Sequence, residues 1–375
     1  MFSKKFYQKG KDDTMKEGRI YNFNPGPAAL PLPVLEEAQK DLLNYKGEGI
    51  SVLEMSHRSK TFDGIIKDAE RLLKEVMEIP DNYKVLFMQG GATLQFAAVP
   101  LNLIDDGQLA EYVNTGAWSK KAIQEAKKLG KEVKVIASSE DENFAYIPKD
   151  IKVSPDAAYL HITSNNTIFG TEFHTFPETG DVPLIADMSS DIACRKIDVS
   201  KFALIYAGAQ KNMGPAGVTI VIIRQDLLEK CPDNIPTMTS YKIIGGKDSL
   251  YNTPPTFNVY LVKLVLEWMK AQGGLEKIEQ INRQKAQMIY DILDQSSFYR
   301  GTARPDSRSL MNVTFRLPSE ELEKKFVEEA LANGMLGLKG HRSVGGIRAS
   351  IYNAVPLEAV EKLVDFMKKF EQANK

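Results

Sequence analysis

Two cysteines, Cys194 and Cys231, are too few in 375 residues to build a disulfide framework. They point to a reducing compartment, and the cytoplasm is the expected location. Charge of one sign is not in excess either: 48 Lys and Arg stand against 49 Asp and Glu, and no basic stripe runs along the chain. Nucleic acid is therefore not an expected partner. No apolar run approaches the roughly 20 residues that cross a bilayer, so no membrane partner is expected. There are four histidines, His57, His161, His174 and His341, and none pair at the helical spacing of metal ligands. No G-x-G-x-x-G follows a strand-like run, and the Gly-Lys of "IIGGKDS" lacks the earlier glycine of a P-loop. Metal, dinucleotide and P-loop chemistry all lose their usual signatures.

What is present is the composition of a globular chain, 43% hydrophobic and 26% charged, long enough for a large core and two domains. The first 18 residues are polar and aperiodic. They read as a disordered extension rather than a leader, with Met15 as an alternative start. From Val85 onward, short apolar runs alternate with helical patterns. "KVLFM", "LAEYVN", "EVKVIAS", "AAYLHIT", "VPLIADMS", "FALIYAG" and "VTIVIIR" read as strands, and several are apolar throughout, as in a parallel sheet covered on both faces. This predicts a doubly wound, mostly parallel α/β domain over residues 19–265, including an amino-terminal arm. The last part carries "MNVTFRL", a helix capped by Ser319, "IRASIY" and a final helix from Leu357, an α+β pattern predicting a smaller domain over 266–375.

Ligands of open α/β sheets bind beyond the carboxyl ends of the strands. One such end holds Lys211, in "YAGAQKNMGPAG". A lysine there either snorkels to water or is desolvated until its amine becomes nucleophilic. "QGGAT" opens a helix after a strand, where backbone N–H groups bind a phosphate or simply form a tight turn. Asp187 ends "VPLIAD", either as a helix cap or as the partner of a protonated pyridine nitrogen. Trp118 follows another strand end, as core packing or as a plate for a planar ring. Phosphate cradle, acid, aromatic plate and amine on one rim together describe a site for pyridoxal 5′-phosphate.

The stretches "YNFNPGPAALP", "EMSHRS", "GGATLQFAAVPLNL", "NTGAWSKKA", "ADMSSD", "YAGAQKNMGPAG", "YNTPPTF" and "KGHRSVGGIRASIYNA" resemble, in order, those of the phosphoserine aminotransferases. These form part of the class V branch of fold-type I pyridoxal-phosphate enzymes, and the resemblance runs from about Tyr21 to the end. It implies that Lys211 is the Schiff-base lysine and proton carrier, that Asp187 partners the pyridine nitrogen, and that Trp118 stacks on the ring. Thr167 would stand beside the ring oxygen, Ala92 and Thr93 in the phosphate turn, and Gln210 against the cofactor. The resemblance further implies a homodimer with shared active sites, in which Asn252 and Thr253 reach the cofactor phosphate of the other subunit. His57, Arg58, His341 and Arg342 would recognise the substrate's phosphate or distal carboxylate, and Arg348 its α-carboxylate.

The substrates so implied are L-glutamate and 3-phosphohydroxypyruvate, giving O-phospho-L-serine and 2-oxoglutarate in serine biosynthesis, with the phosphohydroxythreonine step of pyridoxine biosynthesis as a further use. Both substrates are anionic at two ends, and arginine suits bidentate recognition of carboxylate and phosphate. Thr93 stands where some family members carry an arginine, which removes one cation from the phosphate end. Other class V activities fit less well. A cysteine desulfurase needs a thiol over the cofactor, and neither Cys194 nor Cys231 is so placed; alanine does not call for paired His-Arg motifs. A catalytically silent binding protein would be expected to lack Lys211 or Asp187.

Overall fold

The computed structural model describes residues 18–375; the expected extension lies outside the described residues apart from Gly18. A seven-stranded sheet organises the first two-thirds. Across it the strands run Tyr83–Met88, Thr219–Arg224, Leu204–Gly208, Leu184–Asp187, Leu160–Thr163, Leu109–Asn114 and Glu132–Ser138. All pair in parallel except Thr219–Arg224, which is antiparallel to both neighbours. The expected α/β class and mostly parallel sheet are what the chain adopts.

Strand residues alternate between two cores, because successive side chains leave a strand on opposite faces. Val85, Phe87, Ile162, Ala186, Ile205, Ile220 and Ile222 join one core with helices Lys60–Met77 and Thr256–Ala271. Leu86, Met88, Tyr112, Ile185, Tyr206, Val221 and Ile223 join the other, with residues of helices Gly91–Leu103 and Ala117–Lys128. The Ser59 hydroxyl caps Lys60–Met77 by accepting from Phe62 N at 3.1 Å, a contact worth about 1 kcal/mol.

The carboxyl-terminal part is a three-stranded antiparallel sheet (Arg300–Gly301, Asn312–Arg316, Ile347–Ser350) with helices Glu320–Ala332 and Leu357–Asn374. Ser319 caps Glu320–Ala332 through Leu322 N, as its position before the helical pattern leads one to expect. The division at 265/266 is not a boundary of this fold. Val265 and Leu266 are consecutive buried residues inside Thr256–Ala271, and the sheet-covering core continues to Ile278 in the next helix, Gly274–Gln295. The same helix delivers Ala286, Ile289 and Leu293 to the second core, so one helix serves both. The amino-terminal arm crosses in the opposite sense. Tyr21–Asn22 pairs in parallel with Met335–Leu336, and Phe23 is buried in the carboxyl-terminal core.

Candidate active site

Three strands of the large sheet end at one place. Leu184–Asp187 delivers Asp187, and the turn after Leu204–Gly208 delivers Gln210 and Lys211. Beyond Leu160–Thr163, a short ladder of Asn165–Asn166 with Thr171–Glu172 sets Thr167 in its turn. Lys211 Nζ donates to Thr167 Oγ1 at 2.8 Å. Burial lowers the Lys211 amine to about 8, against the opposing pull of the Asp187 charge. Asp187 is buried, accepts from Ser189 N at 2.9 Å, and has its carboxyl raised above the usual range by that burial. Behind it, Asp191 is pushed up to about 7 by burial and by the Glu172 carboxylate. Ser164 Oγ donates to Asp191, and Arg195 pairs with Glu172 at 2.9 Å.

Trp118 is the second residue of Ala117–Lys128, and Lys211 Nζ lies 5.9 Å from its ring centroid. Arg348, on the strand Ile347–Ser350, brings the small sheet to the same spot. Its Nη1 donates to Thr167 O at 3.3 Å, so one threonine holds both the amine and the guanidinium. Ala92 and Thr93 begin Gly91–Leu103 behind Gly90, and the first turn carries no acidic side chain. Gly90 has φ +85°, and a Cβ there would stand 2.6 Å from Leu94 Cβ, so the turn requires glycine.

His341 and Arg342 lie on the loop before Ile347–Ser350. The His341 ring is pulled below its ordinary value by burial and then by the charges of Arg348, Arg342 and Lys121. His341 Nδ1 shares a 2.7 Å hydrogen bond with Ser343 Oγ. The structure thus groups Lys211, Asp187, Thr167, Trp118, Arg348 and His341. His57 and Arg58 stand on the loop before Lys60–Met77, Arg58 exposed. Asn252 and Thr253 lie on the exposed loop before Thr256–Ala271, where Thr253 O accepts from Gln89 Nε2 at 3.3 Å. Among the described residues, no carboxylate forms an ion pair with Arg58, Arg342 or Arg348.

Sequence reasoning expected the arm but not its contact with the Lys211 turn. Ala28 N donates to Gln210 O at 2.8 Å, and Gly26, at φ +138°, passes so close that a Cβ would meet Lys211 Cγ at 3.3 Å. The arm thus walls one side of the lysine stem. The only signal was the Gly-Pro pair of "NPGP", which marks a turn without saying what the turn touches. Lys121, one helical turn beyond Trp118 and 4.3 Å from its ring centroid, was missed as well.

This rim, with an amine, an unpaired acid, an aromatic plate and a guanidinium at the strand ends of a parallel sheet, is the layout of a group-transfer enzyme. The Aminotransferase class-V family model matches residues 20–363, and the chain belongs to that family. It is 62% identical over 357 residues to a phosphoserine aminotransferase of Desulfosudis oleivorans, covering 95% of this chain and 99% of that one. The solved phosphoserine aminotransferase from Bacillus circulans subsp. alkalophilus is 54% identical and has a TM-score of 0.93, over 95% of this chain and 99% of the other. A PLP-bound phosphoserine aminotransferase from Trichomonas vaginalis is 40% identical with a TM-score of 0.89, over 93% and 100%.

The residues present fit pyridoxal phosphate. Among the described residues no cation pairs with Asp187 at ion-pair distance, an expensive state for a buried carboxylate that a protonated ring nitrogen relieves. Among the described residues, Trp118 Nε1 and Arg348 Nε are buried without a hydrogen-bond partner. The Gly90-Gly91 turn offers helix N–H groups, and the helix's first turn carries no acidic residue to repel a phosphate.

Proposed function

We propose that the chain is a pyridoxal-phosphate-dependent aminotransferase that moves the amino group of L-glutamate onto 3-phosphohydroxypyruvate, yielding O-phospho-L-serine and 2-oxoglutarate. The observation that carries this reading is Lys211: an amine lowered to about 8, bonded to Thr167 and facing Asp187. When bound, the cofactor supplies a carbonyl carbon for amine exchange and a protonated ring that draws electrons from the substrate's α-carbon. Asp187 would hold the proton at the ring nitrogen. Trp118 would cover the ring, and the first N–H groups of Gly91–Leu103, with Ala92 and Thr93, would bind the phosphate. Gln210 borders the same space. Lys211 Nζ takes the proton from the substrate α-carbon, and Thr167 Oγ1 orients the amine for that transfer. Arg348 binds the α-carboxylate, which fixes the α-carbon near Nζ. His57, Arg58, His341 and Arg342 receive the distal phosphate or carboxylate. The two buried cysteines agree with a reducing compartment, and we place the enzyme in the cytoplasm.

The test is direct. Purified protein with cofactor should change its visible absorbance on addition of L-glutamate and recover it with 3-phosphohydroxypyruvate, O-phosphoserine appearing in step. A panel including phosphohydroxythreonine's keto acid, hydroxypyruvate and glyoxylate measures the phosphate preference; equal rates with glyoxylate would reject this assignment.

Arg342 bears on selectivity. Thr93 leaves the phosphate turn without a cation, so the phosphate end depends on the His-Arg pairs. Arg342→Ala is expected to lower kcat/KM for phosphohydroxypyruvate relative to hydroxypyruvate by roughly tenfold to a hundredfold, as follows from about 1.5–3 kcal/mol for a charge-assisted contact. Equal losses for both acceptors would remove Arg342 from the phosphate end.

We further propose a homodimer with shared sites, Asn252 and Thr253 serving the partner's cofactor phosphate. A hybrid of a Lys211→Ala chain and an Asn252→Ala/Thr253→Ala chain should then regain activity, up to about half per dimer, because symmetry gives it one intact site. The double variant is first checked for impairment at limiting cofactor. A verified hybrid as inactive as the Lys211→Ala parent would exclude shared sites.

A further inference from the structure

Three chain segments carry Asp187, Lys211 and Arg348 into the site, and a few residues farther on all three meet again behind it. The meeting point is built from buried polar side chains to which the reaction assigns no role. Asn212, next to Lys211, donates through Nδ2 to Ile192 O at 3.2 Å, on the Asp187 segment. Its Oδ1 accepts from Asn353 N at 3.0 Å, on the Arg348 segment. Asn353 in turn donates through Nδ2 to Ala193 O at 2.8 Å and accepts from Asn282 Nδ2 at 2.7 Å. Asn282 also donates to Cys194 O at 2.9 Å. Ala193 has φ +53°, a conformation that alanine adopts only where its surroundings hold it.

The turn that bears Asn353 is itself fastened. Lys285 is fully buried, and its three ammonium donors are spent on Ile351 O, Tyr352 O and Val355 O at 2.9, 2.8 and 3.0 Å. Tyr352 Oη donates to Pro25 O of the arm at 2.8 Å. An apolar contact would let these segments slide; directional hydrogen bonds between buried groups specify one arrangement.

Arg348 and Lys211 act on neighbouring atoms of one substrate, the α-carboxylate and the α-carbon, so their separation has to be kept. At the front of the site both are joined through Thr167, by Nη1 to its carbonyl and Nζ to its hydroxyl. Those two bonds compete with substrate: a carboxylate claims the guanidinium, and proton transfer takes the amine away from the hydroxyl. The bonds behind the site meet no such competition.

We propose that Asn212 and Asn353 are positioning residues for transamination, holding the carboxylate-binding Arg348 at a fixed offset from the Lys211 amine while substrate occupies the front. This rests on the aminotransferase reading of the site. Failure of that reading appears in the wild-type protein, as no change in the holoenzyme's absorbance with L-glutamate; failure of the present inference appears only in the variants.

The experiment compares wild-type, Asn353→Ala and Asn212→Ala holoenzymes by steady-state kinetics, tryptophan-fluorescence titration with 2-oxoglutarate, cofactor titration and thermal melting. Each variant is expected to raise both KM values and the Kd of 2-oxoglutarate about tenfold, within the ~10²-fold that a misplacement of about 1 Å produces. Cofactor affinity should change little, because Asp187 is fixed within its own strand, paired with Thr163 and Tyr206 on either side, and Trp118 and the Gly90-Gly91 turn lie on other segments. In an Arg348→Ala background, adding Asn353→Ala should leave the Kd of 2-oxoglutarate where Arg348→Ala alone puts it, since a residue acting through another has no separate effect. Should Asn353→Ala fail to fold, Asn212→Ala carries the same comparison from the other side of the bond. A lowered melting temperature with unchanged KM and Kd, or an effect that persists undiminished without Arg348, overturns the proposal.

Discussion

Lys211→Ala is expected to fold, to retain cofactor, and to lose at least ~10²–10⁴ in kcat, the contribution of a positioned acid–base group. Borohydride reduction of the wild-type holoenzyme followed by peptide mapping should put the pyridoxyl label on Lys211; a label on any other lysine overturns the assignment. The chain offers a natural control in Lys285, whose amine burial also lowers, to about 7. Lys285 has no exposed surface and all its donors bonded, whereas Lys211 is half-buried beside one hydroxyl. Reactivity needs access as well as a lowered pKa. The same substitution has a pH signature in cofactor-free protein. With the Lys211 amine at about 8 when folded and 10.5 when unfolded, the unfolded chain binds more protons between those values. Stability therefore gains a rising contribution across that window, with the full penalty below about 8. Chemical denaturation of Lys211→Ala at a series of pH values should lack that rise.

Asp187→Asn is expected to lose about 10² or more in kcat with a modest loss of cofactor affinity, the scale of one electrostatic contact removed from a water-poor site. An amide cannot hold the ring nitrogen protonated. Near-normal turnover would reduce Asp187 to a cap on Ser189 N. Stability moves the other way. Because burial raises the Asp187 carboxyl above 3.8, the folded protein favours the protonated form, and the charge opposes folding as pH rises through the raised value. Cofactor-free Asp187→Asn should accordingly be no less stable than wild type at neutral pH, checked by its melting temperature.

The chain shows its strands in sequence because a strand buried on both faces is apolar at consecutive positions, as in "VTIVIIR". That pattern is the same whichever way the strand runs, so the reversal of Thr219–Arg224 was not legible. The limit placed at 265 fell inside a helix for a related reason. From Val259 to Leu266 every residue of Thr256–Ala271 is buried, which erases the one-sided periodicity that would mark the helix's full extent. Asp187, Trp118 and Lys211 stood out as costly residues at strand ends. Thr167 and Arg348 did not: each sits on a short irregular or antiparallel piece, and only tertiary pairing brings them together. Asn212 and Asn353 gave no signal at all, because an asparagine in a loop reads the same whether it faces water or a buried carbonyl.

The Tyr83–Met88 strand lies at the margin of the large sheet and, among the described residues, pairs only with Thr219–Arg224, Met88 against Thr219 and Tyr83 against Arg224. On a ribosome adding about 5–20 residues per second, that partner emerges roughly seven to twenty-five seconds later. During the interval the nascent chain exhibits the apolar strand "YKVLFM" with both edges open, a template for pairing with a neighbouring nascent copy. Slower translation across the intervening stretch is therefore expected to lower the soluble yield of this chain without changing the melting temperature of the finished fold.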